Sequence, residues 1–143
     1  MEAARVDQTP VITMDLAATV LDAAGIDLEG ESLDGQSLRP LLAGEGWDRE
    51  SLYFHYPHFA FHKANRPASA VRSGPHKLIY FYDDKSVELY NLDEDLKESV
   101  DLAPSQPEKA AAMKTQLFQW LEKVGAGLPT PMEAGKEAAK AKG

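Results

Sequence analysis

Residues 68–92 read ASAVRSGPHKLIYFYDDKSVELYNL, and this stretch decides the fold. Extended runs on either side of Ser73-Gly74-Pro75, and a third entered through Asp83-Asp84-Lys85, have the composition of strands separated by turn formers. They predict a meander of three antiparallel strands. On the middle strand Leu78, Tyr80 and Tyr82 share one face while Ile79 and Phe81 share the other, because side chains alternate along an extended chain. Large apolar groups on both faces require cover on both. The rest of the chain can supply one cover and is too short to supply the other.

That one cover is read downstream. Ser105 and Glu108 have the spacing of a capping box with Pro107 in the first turn. Ala110, Met113, Leu117, Trp120, Leu121 and Val124 then recur at helical spacing until Gly125 and Gly127. The remaining residues, 126–143, are Pro-containing and then rich in Ala and Lys, a composition expected to be mobile. Upstream, Ser51–Tyr56 (SLYFHY) reads as a fourth strand stopped by Pro57. Further upstream a helix over about residues 13–24, capped by Thr9 or Thr13 and ended by Gly25, is apolar almost all round. Ile12, Leu16, Val20 and Ala23 form one stripe, Met14, Ala17, Leu21 and Ala24 nearly complete the circle, and only Asp15 and Asp22 interrupt it. Such a helix expects burial on several sides. Between it and the fourth strand lie a Gly- and acid-rich loop, residues 26–36, and a short helical turn capped by Ser37 and ended by Gly44. The fold class is therefore α+β: a small four-stranded antiparallel sheet covered by a C-terminal amphipathic helix and preceded by a buried-type N-terminal helix.

Composition narrows the partners. A formal charge of -8 and a pI near 4.9 argue against nucleic acid or an anionic membrane surface. They leave room for a small anion bound by a local cationic cluster. No apolar run approaches the roughly 18 residues of a membrane span, and the N-terminal MEAARVDQTP has no apolar core of a secretion signal. The absence of cysteine removes disulfides, thiol nucleophiles and thiolate metal sites together.

The sharpest chemical cluster is HYPHFAFHKANR, which places His55, His58, His62, Lys63 and Arg66 on a strand end and the loop after it. Imidazole, ammonium and guanidinium groups in one loop suit a sulfate, phosphate or carboxylate. The same residues also read as a partly exposed rim, and as a metal site they lack a nearby carboxylate. The acidic loop from Asp27 to Asp34 does not match an EF-hand and reads as a solvated turn. Asp83 and Asp84 fall where turns favour Asp for backbone reasons. There is no Gly-rich phosphate loop and no G-x-S-x-G elbow.

Taken as blocks in order, DLAATVLDAAGI, LDGQSLRPLLAG, SLYFHYPH, RPASAVRSGPHKLIYF, VELYNLDEDLKESVDLA and a terminal amphipathic helix resemble the C-terminal part of the type I, arylsulfatase-like sulfatases, of the N-sulfoglucosamine sulfohydrolase-like, polysaccharide-directed kind. The resemblance spans roughly residues 10–125. It implies that residues 1–46 end the large alkaline-phosphatase-like α/β domain and lead out of it, that 47–125 form the C-terminal subdomain, and that 126–143 are a flexible tail. In that family catalysis uses a formylglycine made in a C/S-x-P-x-R motif together with calcium, both in the N-terminal domain. Here Ser73-Gly74-Pro75-His76-Lys77 comes near the motif, with Lys in place of Arg and in a hairpin turn, and reads as coincidence. The resemblance thus implies no catalytic residue, metal or cofactor in this chain. It makes the N-terminal sulfatase domain and a sulfated glycan the expected partners, and it implies a periplasmic or extracellular setting. His55 and His58 are the expected substrate-binding residues, with Lys63 and Arg66 as second choices, while Arg72 and Lys77 are expected in structural salt bridges. The rival reading is a stand-alone module that binds an anionic glycan or a partner protein without hydrolysing anything.

Overall fold

In the computed structural model, which describes residues 6–30, 32–58 and 65–130, four strands form one sheet. They are β1 (Ser51–Tyr56), β2 (Ala68–Ser73), β3 (His76–Phe81) and β4 (Val87–Asn91), and their spatial order follows the sequence. The β2–β3 hairpin closes tightly, with Ser73 opposite His76 and Gly74 in the left-handed region at φ 53°, a conformation that glycine adopts without steric cost. The next hairpin turns at Lys85, a non-glycine residue at φ 62°. Asp84 supports this turn by accepting the Ser86 N–H at 2.9 Å.

Met1–Leu52 and Tyr53–Gly143 form two compact units. In the second, helix α (Pro107–Lys123), the last in the chain, lies against the sheet face that carries Val71, Leu78, Tyr80 and Leu89. It contributes Ala110, Met113, Leu117 and Leu121, the residues its spacing marks as apolar. Tyr53 stacks on Trp120 with ring centroids 4.7 Å apart, and Tyr80 meets Phe118 edge-on at 4.9 Å. The expected capping box does not form. The N-cap is Gln106 without a side-chain cap, because Ser105 lies one residue outside the helix and its hydroxyl donates to the Leu102 carbonyl at 3.1 Å. Pro107 takes the first helical position as expected. Folded contacts also run past residue 125: Ala126 packs against the core, and the Gly127 carbonyl accepts a hydrogen bond. Residues 131–143, most of the expected tail, lie outside the described residues.

The first unit holds α1 (Met14–Ala23) and α2 (Arg39–Ala43), which makes the last helix α3. Neither Thr9 nor Thr13 caps α1 with its side chain; Asp15, in the first turn, instead accepts the N–H of Ile12, just before the helix, at 2.8 Å. Burial on α1 runs opposite to polarity. Asp15 and Ala18 are the buried residues, whereas Met14, Leu16 and Val20 are 44%, 58% and 67% exposed. Asp15 can be buried because its carboxylate accepts the Gln36 N–H at 3.0 Å and a charged hydrogen bond from Arg49 at 2.5 Å, in addition to Ile12. Gly35 lets the 32–36 segment approach so closely: a Cβ there would sit 2.2 Å from the Met14 carbonyl oxygen. Asp22, Ser37 and Arg39 tie α2 to α1 in the same way, with Arg39 2.7 Å from the Asp22 carboxylate. Ser37 also accepts the Arg39 N–H at 3.2 Å, and Gly44 ends α2 at φ 79° as expected.

Candidate functional site

The strand-end loop expected to carry chemistry is anchored at both ends by residues from the expected set. His55, on the α3-facing side of β1, uses both ring nitrogens inside the unit. Its Nε2 lies 3.0 Å from the Gly127 carbonyl and its Nδ1 lies 2.7 Å from the Ser69 hydroxyl. A carbonyl oxygen only accepts, so Nε2 carries the proton and, in the neutral ring, Nδ1 accepts from Ser69. Ser69 then accepts from Tyr82, whose hydroxyl is 2.8 Å away. Burial, outweighing the Ser69 hydrogen bond, pushes the Tyr82 hydroxyl above its ordinary pKa and keeps it a donor. The chain Tyr82–Ser69–His55–Gly127 links two strands to the segment after α3.

Arg66 closes the other end. Its Nε and Nη2 meet the two oxygens of Asp83 at 2.8 and 2.6 Å, Nη2 also reaches Asp84 at 2.7 Å, and the guanidinium carbon lies 4.0 Å from the centre of the Phe81 ring. The hydrogen bonds to Asp83 hold the Arg66 pKa above its ordinary value. Asp83 is held low chiefly by Arg66, and Asp84 is brought to about 2 by the Ser86 hydrogen bonds and then by Arg66. Two carboxylates more than balance this guanidinium. An external anion would have to displace one of them.

His58 differs from both. It is exposed beyond Pro57 and, among the described residues, meets the Tyr56 ring edge-on, with centroids 6.0 Å apart. Lys63, like its neighbour His62, lies outside the described residues. Of the residues expected to hold substrate, then, His55 and Arg66 are occupied by internal partners and His58 presents a free imidazole to solvent. Lys77 forms the salt bridge expected of it, with Glu98 at 2.7 Å. No described ion pair includes Arg72. Among the described residues no group of three or more His, Asp or Glu side chains could hold a metal ion. Ser73 sits in the β2–β3 ladder opposite His76, at the hairpin. No described helix is long and apolar enough to cross a membrane.

The model of the N-sulphoglucosamine sulphohydrolase C-terminal family matches residues 1–126. The chain belongs to that family. Among its curated relatives, a sulfatase of Formosa agariphila is 32% identical over 79% of this chain, and an N-acetylglucosamine-6-O-sulfatase of Bacteroides thetaiotaomicron is 33% identical over 61%. The chain spans only 23% and 16% of the length of these two proteins. A protein solved in complex with its substrate D-glucosamine-2-N,6-O-disulfate superposes with a TM-score of 0.66 at 27% identity, over 80% of this chain and 24% of that one. A 2-O GAG sulfatase gives 0.67 at 26%, over 78% and 25%. The four-stranded sheet with its helices is thus a sulfatase C-terminal subdomain, as the resemblance implied.

Proposed function

We propose that this chain serves as the C-terminal portion of a sulfatase that hydrolyses sulfate esters of a glycan, and that it shapes the substrate cleft without supplying the catalytic group. The observation that carries this reading is the exposed apolar side of α1, Met14, Leu16 and Val20, in a chain matched over residues 1–126 by a sulfatase C-terminal model. A helix of that kind normally packs on further protein. The partner is an N-terminal sulfatase domain, and the formylglycine and calcium of the family belong there. Support for a glycan substrate comes from the relatives, one an N-acetylglucosamine-6-O-sulfatase and one solved with a disulfated glucosamine.

Within this reading the four expected site residues divide by task. His58 contacts the sugar or its sulfate. His55 and Arg66 hold the ends of the loop that carries His58 and Lys63, His55 through Ser69 and Gly127 and Arg66 through Asp83 and Asp84.

The purified chain, with calcium added, should release no sulfate from aryl or sugar sulfates. Turnover abolished by Ser73→Ala would overturn the proposal and make the near-miss motif a nucleophile. The substrate role is tested in a chimera in which this chain replaces the matching region of the Bacteroides thetaiotaomicron N-acetylglucosamine-6-O-sulfatase. There, His58→Ala should lower kcat/KM on the glycan by about 1–3 kcal/mol, roughly one to two powers of ten, with Tm unchanged. His55→Ala should lower Tm first, because it strands the Ser69 hydroxyl and the Gly127 carbonyl. Small aryl sulfates, which lack sugar contacts, should be affected less by His58→Ala; no loss on either substrate would return His58 to the solvent rim.

A further inference from the structure

The sheet has a second face, and Arg72 stands in it with no described hydrogen-bond partner for its Nε. Tyr53 and His55 of β1, Val71 of β2, Leu78 of β3 and Leu89 of β4 face α3. Alternation and the strand register therefore send Phe54, Tyr56, Arg72, Ile79 and Phe81 to the opposite side, with Lys77, Glu88 and Tyr90 beside them. Within the Tyr53–Gly143 unit, α3 covers only the first side. On the second, Phe54 and Tyr56 remain 48% and 49% exposed.

Arg72 is the anomaly of this face. Its Nε is shielded from water and has no hydrogen-bond partner. Its cross-strand neighbour in the β2–β3 ladder is Lys77, another cation. Lys77 is satisfied by Glu98 at 2.7 and 2.8 Å, whereas no ion pair among the described residues includes Arg72. Like charges directly opposite on a sheet are unfavourable, and so is a guanidinium nitrogen withdrawn from water without an acceptor. One carboxylate brought from outside the unit relieves both, and the planar guanidinium suits a carboxylate in particular.

We propose that this face, Phe54, Tyr56 and Ile79 around Arg72, is where the α/β domain that precedes this region in longer sulfatases docks, and that the domain presents an Asp or Glu carboxylate to Arg72. The inference rests on the reading that such a domain is the partner, and adds which face it covers and which charge it brings. The relatives supply the occupant, since this chain accounts for only 23% of the Formosa agariphila sulfatase. The chemistry matches as well: aromatic groups around an arginine are the usual composition of a protein–protein interface core.

Two proteins test it: the isolated chain and the sulfatase chimera described above. Hydroxyl-radical footprinting reads Phe54 and Tyr56 on the sheet face and Met14 on α1, which start from similar exposure. In the chimera all three should become several-fold less reactive than in the isolated chain, and Arg72→Glu should restore the reactivity of Phe54 and Tyr56. Protection of Met14 with Phe54 and Tyr56 unchanged would overturn the sheet-face inference and leave the domain reading standing; protection of none would sink both. The isolated chain is decisive on its own account. Arg72→Met should leave its Tm unchanged or raise it, because no internal ion pair is lost. A fall in Tm would reveal an internal partner and end the proposal. So would heparin binding that Arg72→Met removes, which would make the face a glycan site, or a dimer that Arg72→Met dissolves, which would make a second copy the occupant.

Discussion

Arg49→Met should destabilise the Met1–Leu52 unit by about 3 kcal/mol, the lower end of the 3–5 expected when one partner of a buried ion pair is removed. The Asp15 side chain is fully buried and that of Arg49 nearly so, and removing the guanidinium strands a carboxylate with only the Ile12 and Gln36 N–H groups for company. Those two hydrogen bonds are why the lower end is expected. For a unit of this size the loss rivals the whole stability, at about 0.05–0.15 kcal/mol per residue. Trp47 lies in the same unit, donating to the Ser37 carbonyl at 2.8 Å, so its fluorescence in a Trp120→Phe background reports urea unfolding of this unit alone.

The pH dependence of that loss identifies its cause. Burial by itself would raise the Asp15 pKa, but the hydrogen bonds from Ile12, Gln36 and Arg49 together hold it below the ordinary carboxylate value. The folded unit therefore binds this proton less readily than the unfolded chain does. Its contribution to stability is complete above the unfolded carboxylate pKa of about 3.9, and it is lost as pH falls toward the lower folded value. Without Arg49 two of the influences that lower the Asp15 pKa are gone, so the pKa rises from its parent value and the variant keeps less of this stabilisation at neutral pH. The gap between parent and variant should be widest near neutral pH and should narrow as pH falls through about 4. A gap that stays constant from pH 7 to pH 3.5 would mean that packing of the Arg49 stem, rather than the charge, is what was lost. Asp15→Asn combined with Arg49→Met should recover part of the loss, because no buried charge is then left unpaired.

What could be read in advance was what depends on neighbours in sequence. The meander follows from alternation and turn formers, and α3 from apolar spacing, because both signals repeat within a few residues. The capping box failed for an equally local reason, since the helix starts one residue later than the box requires. Asp15 and Arg49, 34 residues apart, have no local signature. The only hint was an Asp on a helix otherwise apolar, and it marked the buried side, not the wet one. Arg66 is a different case, because its partner was derivable. The turn at Gly74 sets Ala68 opposite Phe81, and carrying the same register outward by two residues sets Arg66 opposite Asp83. Assigning Asp83 to turn chemistry alone hides that pairing, and with it the two carboxylates that the Arg66 guanidinium already meets. Sequence places His55 in the cationic cluster at a strand end, but the Gly127 carbonyl that fixes its tautomer lies beyond α3, where only tertiary packing could bring it.

Leu117→Ala should cost the second unit about 2–5 kcal/mol, the range for a fully buried leucine whose cavity closes only in part. Leu117 is completely buried in the cluster formed by Val71, Leu78, Leu89, Met113 and Leu121, and it sits midway along the helix that covers this face among the described residues of the unit. The exposed Leu96 provides the contrast, since truncating it to alanine should stay within about 0.5 kcal/mol. Trp120, stacked on Tyr53, reports the transition, in a Trp47→Phe background. The consequence reaches the candidate site, because α3 delivers Gly127 to His55. Loosening the helix should speed exchange of the His55 Nε2–H with solvent, seen by NMR, before the sheet itself melts, and the loop that begins at Pro57 should lose one of its two anchors. If Leu117→Ala cost less than about 1 kcal/mol, well below the range for a buried leucine, the helix would not be the cover that keeps the apolar face of the sheet from water. If it cost the full amount while the His55 Nε2–H stayed protected, the Gly127 contact would not depend on how α3 is seated, and His55 would have to be held by Ser69 and Tyr82 alone.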